Sequence, residues 1–238
     1  MTALAEHRDV ASATLFQRQW STYRKMVDND YLFHRGAYGA LRRLIDAERT
    51  TRFSVLDLAC GDAASSAAAL NGTAVSRYCG IDLSLEALAL AAANLRQLGC
   101  PIDLRHADFA EALEAWTEPC DVVWIGLSLH HFETQRKRDL MAAIRRIVGP
   151  SGLLAMYECT SPDGETRADW MKGWDSQEPY WTALSADEWR AVTDHVHASD
   201  FPETVSGWRD LGHAAGFTRM RDLYTSETGL YRLLAFEA

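Results

Sequence analysis

The sequence has little that would tie it to a membrane or a polyanion. No apolar run approaches the roughly 20 residues needed to span a bilayer. The start, Met1-Thr2-Ala3-Leu4-Ala5-Glu6-His7-Arg8-Asp9, carries charge where a signal peptide needs its apolar stretch. Basic residues are in deficit: 24 Lys and Arg stand against 33 Asp and Glu, a net charge of −9. Affinity for a nucleic-acid backbone comes mainly from Lys and Arg, so a long phosphate track is a poor fit. The five cysteines (Cys60, Cys79, Cys100, Cys120, Cys159) include no C-x-x-C pair. Their odd number and wide spacing argue against a disulfide framework and a structural zinc site, and fit reduced thiols. No internal repeat is visible, which excludes a solenoid. A cytoplasmic protein with no nucleic-acid or membrane partner is expected.

What is present suits one generous globular domain: 238 residues, 47% apolar, 10% aromatic and 24% charged. The first fifty residues read as helices. Leu15, Phe16, Gln19 and Trp20, then Tyr23, Met26 and Val27, recur at helical spacing, as do Ala40, Leu41, Leu44 and Ile45 after Gly36 and Gly39. From Phe53 the rhythm changes. Segments 53–58, 78–83, 102–106, 122–127 and 153–158 read as strands, and 63–70, 85–98, 109–116 and 138–148 as helices. Such alternation predicts an α/β fold, a mostly parallel sheet with helices on both faces. Towards the end, 208–215 is helical, and 217–225 and 231–236 read as strands around a short turn, an antiparallel hairpin on the parallel sheet. The stretch 159–203, with Trp170, Trp174, Trp181 and Trp189, is too long for a simple connection. It reads as a partly helical insertion in a domain over 51–238, preceded by a helical lid segment over 1–50.

The segment richest in chemistry is Val55-Leu56-Asp57-Leu58-Ala59-Cys60-Gly61-Asp62-Ala63. A buried strand runs into a turn of small residues and then a helix, which lets backbone amides approach a ligand. Asp82, in Gly80-Ile81-Asp82-Leu83-Ser84, ends the next strand, where a carboxylate can accept from both hydroxyls of a ribose. Ala107-Asp108-Phe109 follows the third strand and offers a carboxylate and a ring to an adenine. Asp57 and Asp82 each taken alone read as turn or cap residues, Phe109 equally as core, and Cys60 as a small buried filler.

In this order and spacing, the three pieces resemble the class I methyltransferases that use S-adenosylmethionine and release S-adenosylhomocysteine. The likeness runs from Phe53 to the C-terminus and implies a Rossmann-like seven-stranded sheet completed by the final hairpin. It departs from the family's glycine-rich pattern at Ala59 and Ala63, leaving only Gly61. The resemblance implies Asp57 and Gly61 near the methionine part of the cofactor, Asp82 at the ribose, and Asp108 and Phe109 at the adenine. Ala59, Cys60, Asp62, Leu83, Gly126 and Arg35 complete the implied cofactor-binding set.

The fourth strand ends in Trp124-Ile125-Gly126-Leu127-Ser128-Leu129-His130-His131-Phe132, where such enzymes meet their substrate. There is no Asn/Asp-Pro-Pro-aromatic signature and no Pro-Cys after this strand, which disfavours adenine, amide and cytosine targets. His130 or His131 is a candidate general base or anchor, because imidazole titrates near neutrality. The plainer reading is a pair that caps a loop.

Charge narrows the substrate. From Glu158 to Glu203 there are eleven carboxylates against three cations, −8 of the chain's −9. Most read as a solvated surface; the sharper expectation is that one or two, Glu158 among them, point inward beside an aromatic such as Trp174 to hold a substrate ammonium. Asp194-His195-Val196-His197 raises a metal, but histidines two apart on a helix lie on different faces, so no metal is expected there. Ahead of the domain, Asn29, Tyr31, His34, Arg35 and Tyr38 sit in a dense polar and aromatic run. Arg35 could pair with a carboxylate. Tyr31 is a catalytic candidate, and Asn29, His34 and Tyr38 are substrate-binding candidates. Equally, this run is a helix pair with a wet polar face.

A narrower likeness is carried by Asn29-Asp30-Tyr31-Leu32-Phe33-His34-Arg35, by Leu129-His130-His131-Phe132, and by Asp194-His195-Val196 with Asp200-Phe201-Pro202-Glu203. These look like the methyltransferase part of the ovothiol pathway, which methylates a ring nitrogen of a thiohistidine. The resemblance implies a small-molecule substrate and an upstream biosynthetic enzyme to supply it. A protein of this fold that binds the cofactor without turnover is the competing class, and transfer to another O, N or S nucleophile the competing chemistry.

Overall fold

The structure, a computed structural model, describes residues 20–238, so the helical pattern expected at Leu15, Phe16 and Gln19 lies outside the described residues. Two helices come first, α1 (Trp20–Asp28) and α2 (His34–Glu48), followed by alternating strands and helices. These are β1 (Phe53–Leu58), α3 (Ala64–Leu70), β2 (Val75–Asp82), α4 (Leu85–Asn94), β3 (Ile102–His106), α5 (Phe109–Ala115), β4 (Cys120–Gly126), α6 (Thr134–Ile147) and β5 (Val148–Ser161). The chain ends with α7 (Arg167–Asp175), α8 (Ala186–Ser199), a two-residue β6 (Glu203–Thr204), α9 (Val205–Ala215), β7 (Arg219–Thr225) and β8 (Tyr231–Glu237).

The sheet order is β3-β2-β1-β4-β5-β8-β7, with β6 added beside the end of β5. Strands β1 to β5 pair in parallel and β8 pairs antiparallel with β5 and β7. This is the expected α/β fold with its terminal hairpin. The central strands read as near-continuous apolar runs because helices cover both faces. One face packs under α2 and α3, the other under α5, α6 and α9. The order of connection reverses between β1 and β4, and a ligand crevice forms beyond the strand ends at such a switch point.

Several boundaries differ from expectation for local reasons. Leu127 was expected in the fourth strand, but its φ of +50° turns the chain out after Gly126. Helix α6 begins at Thr134, ahead of the expected start at Arg138, because its first turn is polar and carries no apolar stripe. Strand β5 continues to Ser161, past the expected 158, because Thr160 and Ser161 pair with β6.

Helices α7 and α8 fold onto their own tryptophans. Trp174 stacks on Trp189 with centroids 5.6 Å apart, and Trp181 meets both edge-on. Capping boxes at Thr166/Asp169 and Ser185/Glu188 start the two helices. The block is latched to the segment after α1: Tyr31 stacks on Trp181 at 4.8 Å, and its hydroxyl accepts from the Ala183 N–H at 2.8 Å. Lys25 bonds Glu188 at 2.7 Å.

Candidate active site

At the strand ends lies a cavity of about 370 Å³. One wall is the turn after β1. Ala59, Gly61 and Ala63 have φ of +54°, +55° and +51°, so the turn needs left-handed backbone at each of these places. Asp82, at the end of β2, fixes it: Oδ2 accepts the Gly61 N–H at 2.8 Å, and Oδ1 accepts the Ser84 N–H at 2.8 Å. Burial pushes the Asp82 carboxyl upward, opposed by those N–H donors. Cys60 lies over Gly80, where a Cβ would come within 2.8 Å of its sulfur, so a small side chain is required on each side. Leu83, Ala107 and Phe109 give this end an apolar floor.

The opposite wall is built from the turn after β4, from β5 and from α8. Glu158 is fully buried, and its carboxylate accepts the backbone N–H groups of Ser128, Leu129 and His130 at 3.0, 2.8 and 3.2 Å. Its Oε2 also lies 2.7 Å from His130 Nδ1. The other ring nitrogen of His130 faces Asp200 Oδ1 at 3.6 Å. Burial opposes charge on His130, but the Asp200 and Glu158 carboxylates, with a hydrogen-bond contact from Cys159, outweigh it and raise its pKa well above the ordinary value. Asp200 is buried too, and its imidazole neighbours still hold its carboxyl below the ordinary value. Burial pushes the Cys159 thiol up to about 12, so it is neutral. The Phe201 N–H donates to the His130 carbonyl at 2.7 Å, and the ammonium of buried Lys137 bonds the Phe201 carbonyl and Glu203, tying α8 to the turn.

The cavity brings together many of the expected residues: Ala59, Cys60, Gly61, Asp62, Asp82, Leu83, Phe109, Gly126, His34, Tyr38, His130, His131 and Trp174 all line it. Others serve behind the wall. Asp57 is buried beneath the turn, accepting from Ser66 Oγ at 2.6 Å and Tyr78 OH at 2.5 Å, and burial raises its carboxyl to about 7. Asp108 caps α5 through the Ala110 N–H. Arg35 donates to the Asp28 carbonyl, Asn29 to the Lys25 carbonyl, and Tyr31 is occupied with Trp181 and Ala183. Glu158 reaches the site only through the β4 turn.

Of the carboxylates expected to point inward, Asp200 lines the cavity, whereas Glu158 is spent on backbone N–H groups and His130 and does not present its carboxylate to a substrate ammonium. His195 turns to the cavity while His197, two residues on, pairs with Asp175 at 2.7 Å on the other side of α8. Tyr157, Cys159 and Tyr231 also line the cavity and were not singled out. Strand β5 is buried on both faces, so no alternation in its sequence tells which side chains reach the site.

The fold is that of the Rossmann-like methyltransferases. Residues 55–152 match the family model described as a methyltransferase domain. Among solved structures, magnesium protoporphyrin IX methyltransferase (ChlM) from Synechocystis, crystallised with S-adenosylhomocysteine, superposes with a TM-score of 0.67 at 13% identity, over 96% of this chain and 99% of that one. The S-adenosylmethionine-dependent methyltransferase SibL gives 0.60 at 16% identity, over 87% of this chain and 56% of that one. The pyocyanin biosynthetic protein PhzM gives 0.58 at 18%, over 85% and 54%. This chain thus spans little more than half the length of SibL and PhzM. No curated protein matches the sequence. S-adenosylmethionine is consistent as cofactor with the site and with the ligand in ChlM. Among the described residues, no helix is long and apolar enough to cross a membrane.

Proposed function

We propose that the protein transfers the methyl group of S-adenosylmethionine to a small molecule, and that the acceptor is a ring nitrogen of a histidine-derived thiol of the ovothiol type. The observation that carries this reading is one continuous cavity. The turn of Gly61 and Asp82 forms one wall, and His130, His131, His195 and Asp200 form the other. Its volume, about 370 Å³, falls within the range of small-ligand sites. All three segments that resemble the thiohistidine methyltransferases contribute to the cavity: His34 from the first, the histidine pair from the second, and His195 with Asp200 from the third.

When bound, S-adenosylmethionine supplies an electrophilic methyl on a sulfonium whose charge is lost on transfer. The chain's part is to bind, align and exclude water. Asp82 is the acceptor for ribose hydroxyls, and Leu83, Ala107 and Phe109 enclose the adenine. The latch of Tyr31 on Trp181 holds the α7–α8 block against the segment after α1. An imidazole nitrogen already carries a lone pair, so orienting the acceptor ring is the main requirement. Asp200 can accept the N–H of such a ring, and His130, fixed by Glu158, sets the shape of the wall. This substrate would come from an upstream enzyme that installs sulfur on the imidazole.

The test is a mass-spectrometric assay of the purified protein with S-adenosylmethionine and thiohistidine, histidine, a simple thiol and a simple catechol. Ring-nitrogen methylation of thiohistidine alone is expected. No product with any of them, alongside tight S-adenosylhomocysteine binding, would sink the substrate assignment and favour binding without turnover.

A further inference from the structure

We propose that His131, His195 and Asp200 form a binding site for one divalent transition-metal ion, zinc by preference, on the substrate wall of the cavity. The three residues come from the turn after β4, from α8 and from the cap of α8, and one ligand atom from each lies within 4.8 Å of the others. His131 Nδ1, His195 Nε2 and Asp200 Oδ1 are all buried and none makes a hydrogen bond of regular geometry; Asp200 Oδ1 has only the electrostatic contacts with His131 Nδ1 and His130 Nε2. A buried polar atom without a well-formed hydrogen bond is unfavourable, so three around one point need a common explanation, and a shared cation provides it. His131 Nδ1 and Asp200 Oδ1 are 3.3 Å apart. Two ligands at about 2.0–2.1 Å from a tetrahedral zinc stand at nearly that separation.

Neighbouring groups are already committed elsewhere. His130 gives Nδ1 to Glu158. His197 is turned away onto Asp175, so the site is not the sequence-local histidine pair but one assembled across the fold. Two imidazoles and a carboxylate are the donor set of catalytic zinc and of open non-haem iron centres, which keep a position for substrate. All three residues line the cavity, so that position opens toward the methyl donor.

The role of the ion rests on the methyltransferase reading, although its binding does not. A soft thiolate is a good zinc ligand. The sulfur of a thiol-bearing imidazole would displace water from the ion and release its proton to solvent. The ring would then be pinned with a nitrogen free to attack the methyl.

The test uses tag-free protein, stripped with chelator, reloaded with zinc and dialysed, with metal counted by plasma mass spectrometry and S-adenosylhomocysteine binding measured on the same samples. One zinc per chain is expected, and cobalt loading should give the d–d bands of a low-coordinate site. His195→Ala and the milder His131→Gln should each lose stoichiometric metal, while His197→Ala on the same helix keeps it. Wild-type protein that binds S-adenosylhomocysteine but holds no zinc overturns the metal site alone, as does zinc retained by both His195→Ala and His131→Gln. Stoichiometric zinc without S-adenosylhomocysteine binding sinks the methyltransferase reading and leaves the metal site standing.

Discussion

Glu158 and His130 are joined by a 2.7 Å contact between Oε2 and Nδ1, and the same carboxylate gathers three consecutive backbone N–H groups of the β4 turn. One side chain on β5 therefore sets both the loop and the imidazole that face the cavity. Glu158→Gln puts an amide NH₂ against donors that need an acceptor. Breaking a buried pair of this kind costs about 3–5 kcal/mol. Thermal unfolding should shift down accordingly. Because the cofactor turn is built separately, S-adenosylhomocysteine affinity should hold within a few-fold while turnover falls roughly 100-fold, the penalty of a misplaced reacting group. A variant that loses cofactor affinity and turnover in parallel would show that the two walls are not independent.

Asp82 does two jobs with one carboxylate, pinning the Gly61 amide and presenting an acceptor to the cavity. Hydrogen bonds to a charged partner contribute about 1.5–3 kcal/mol each. Asp82→Ala should therefore weaken S-adenosylhomocysteine binding on the order of 100-fold by calorimetry. A change of less than about three-fold would remove Asp82 from the cofactor site.

Ala59 and Ala63 occupy left-handed backbone, where an L-residue pays about 1–2 kcal/mol and glycine does not. Glycine loses about 0.5–1 kcal/mol more chain entropy on folding. At the half-exposed Ala59 the balance favours Ala59→Gly, by up to about 1 kcal/mol, or about 2–4 °C in Tm. The Ala63 methyl is buried, and deleting it gives back about 0.8 kcal/mol. Ala63→Gly should then be close to neutral. Equal shifts for the two variants in a melting experiment would mean burial is not what separates them.

The sheet and its switch point were legible because strand and helix periods alternate cleanly from Phe53, and the turn with Asp82 falls where that alternation places a ligand. The positive φ at Ala59 and Ala63 is a property of the backbone that no side-chain inventory reveals. The wall opposite was less legible. Asp57 and Arg35 carry the right chemistry for a cofactor site, but packing directs one beneath the turn and the other onto a carbonyl. His195 and Asp200 acquire meaning only when α8 folds back on the β4 turn, a long-range contact between segments that local spacing does not encode. Lys137, buried in α6 and bonded across that join to Glu203, stands between Arg136 and Arg138, and nothing in that basic run marks it for burial.

Two groups shifted in opposite senses, His34 on the cavity wall and the buried Asp57, shape the pH dependence of stability. Burial lowers His34 from 6.5 to about 4, despite Asp30 and Asp62 nearby. The unfolded chain therefore binds the extra proton first, and stability is lost as pH falls from about 6.5 towards 4. Burial raises Asp57 from 3.8 to about 7, partly offset by Ser66 and Tyr78. Here the folded state holds the proton, so that contribution is full at acid pH and is lost as pH rises from about 4 through 7. Between pH 4 and 6.5 the two slopes oppose each other, and above 6.5 only the Asp57 loss continues. Urea unfolding across pH 4 to 8 separates them. Asp57→Asn should gain on the wild type by a few kcal/mol as pH rises, and His34→Gln should gain on it as pH falls. Curves for either variant that run parallel to the wild type would show that its side chain does not change its proton affinity on folding.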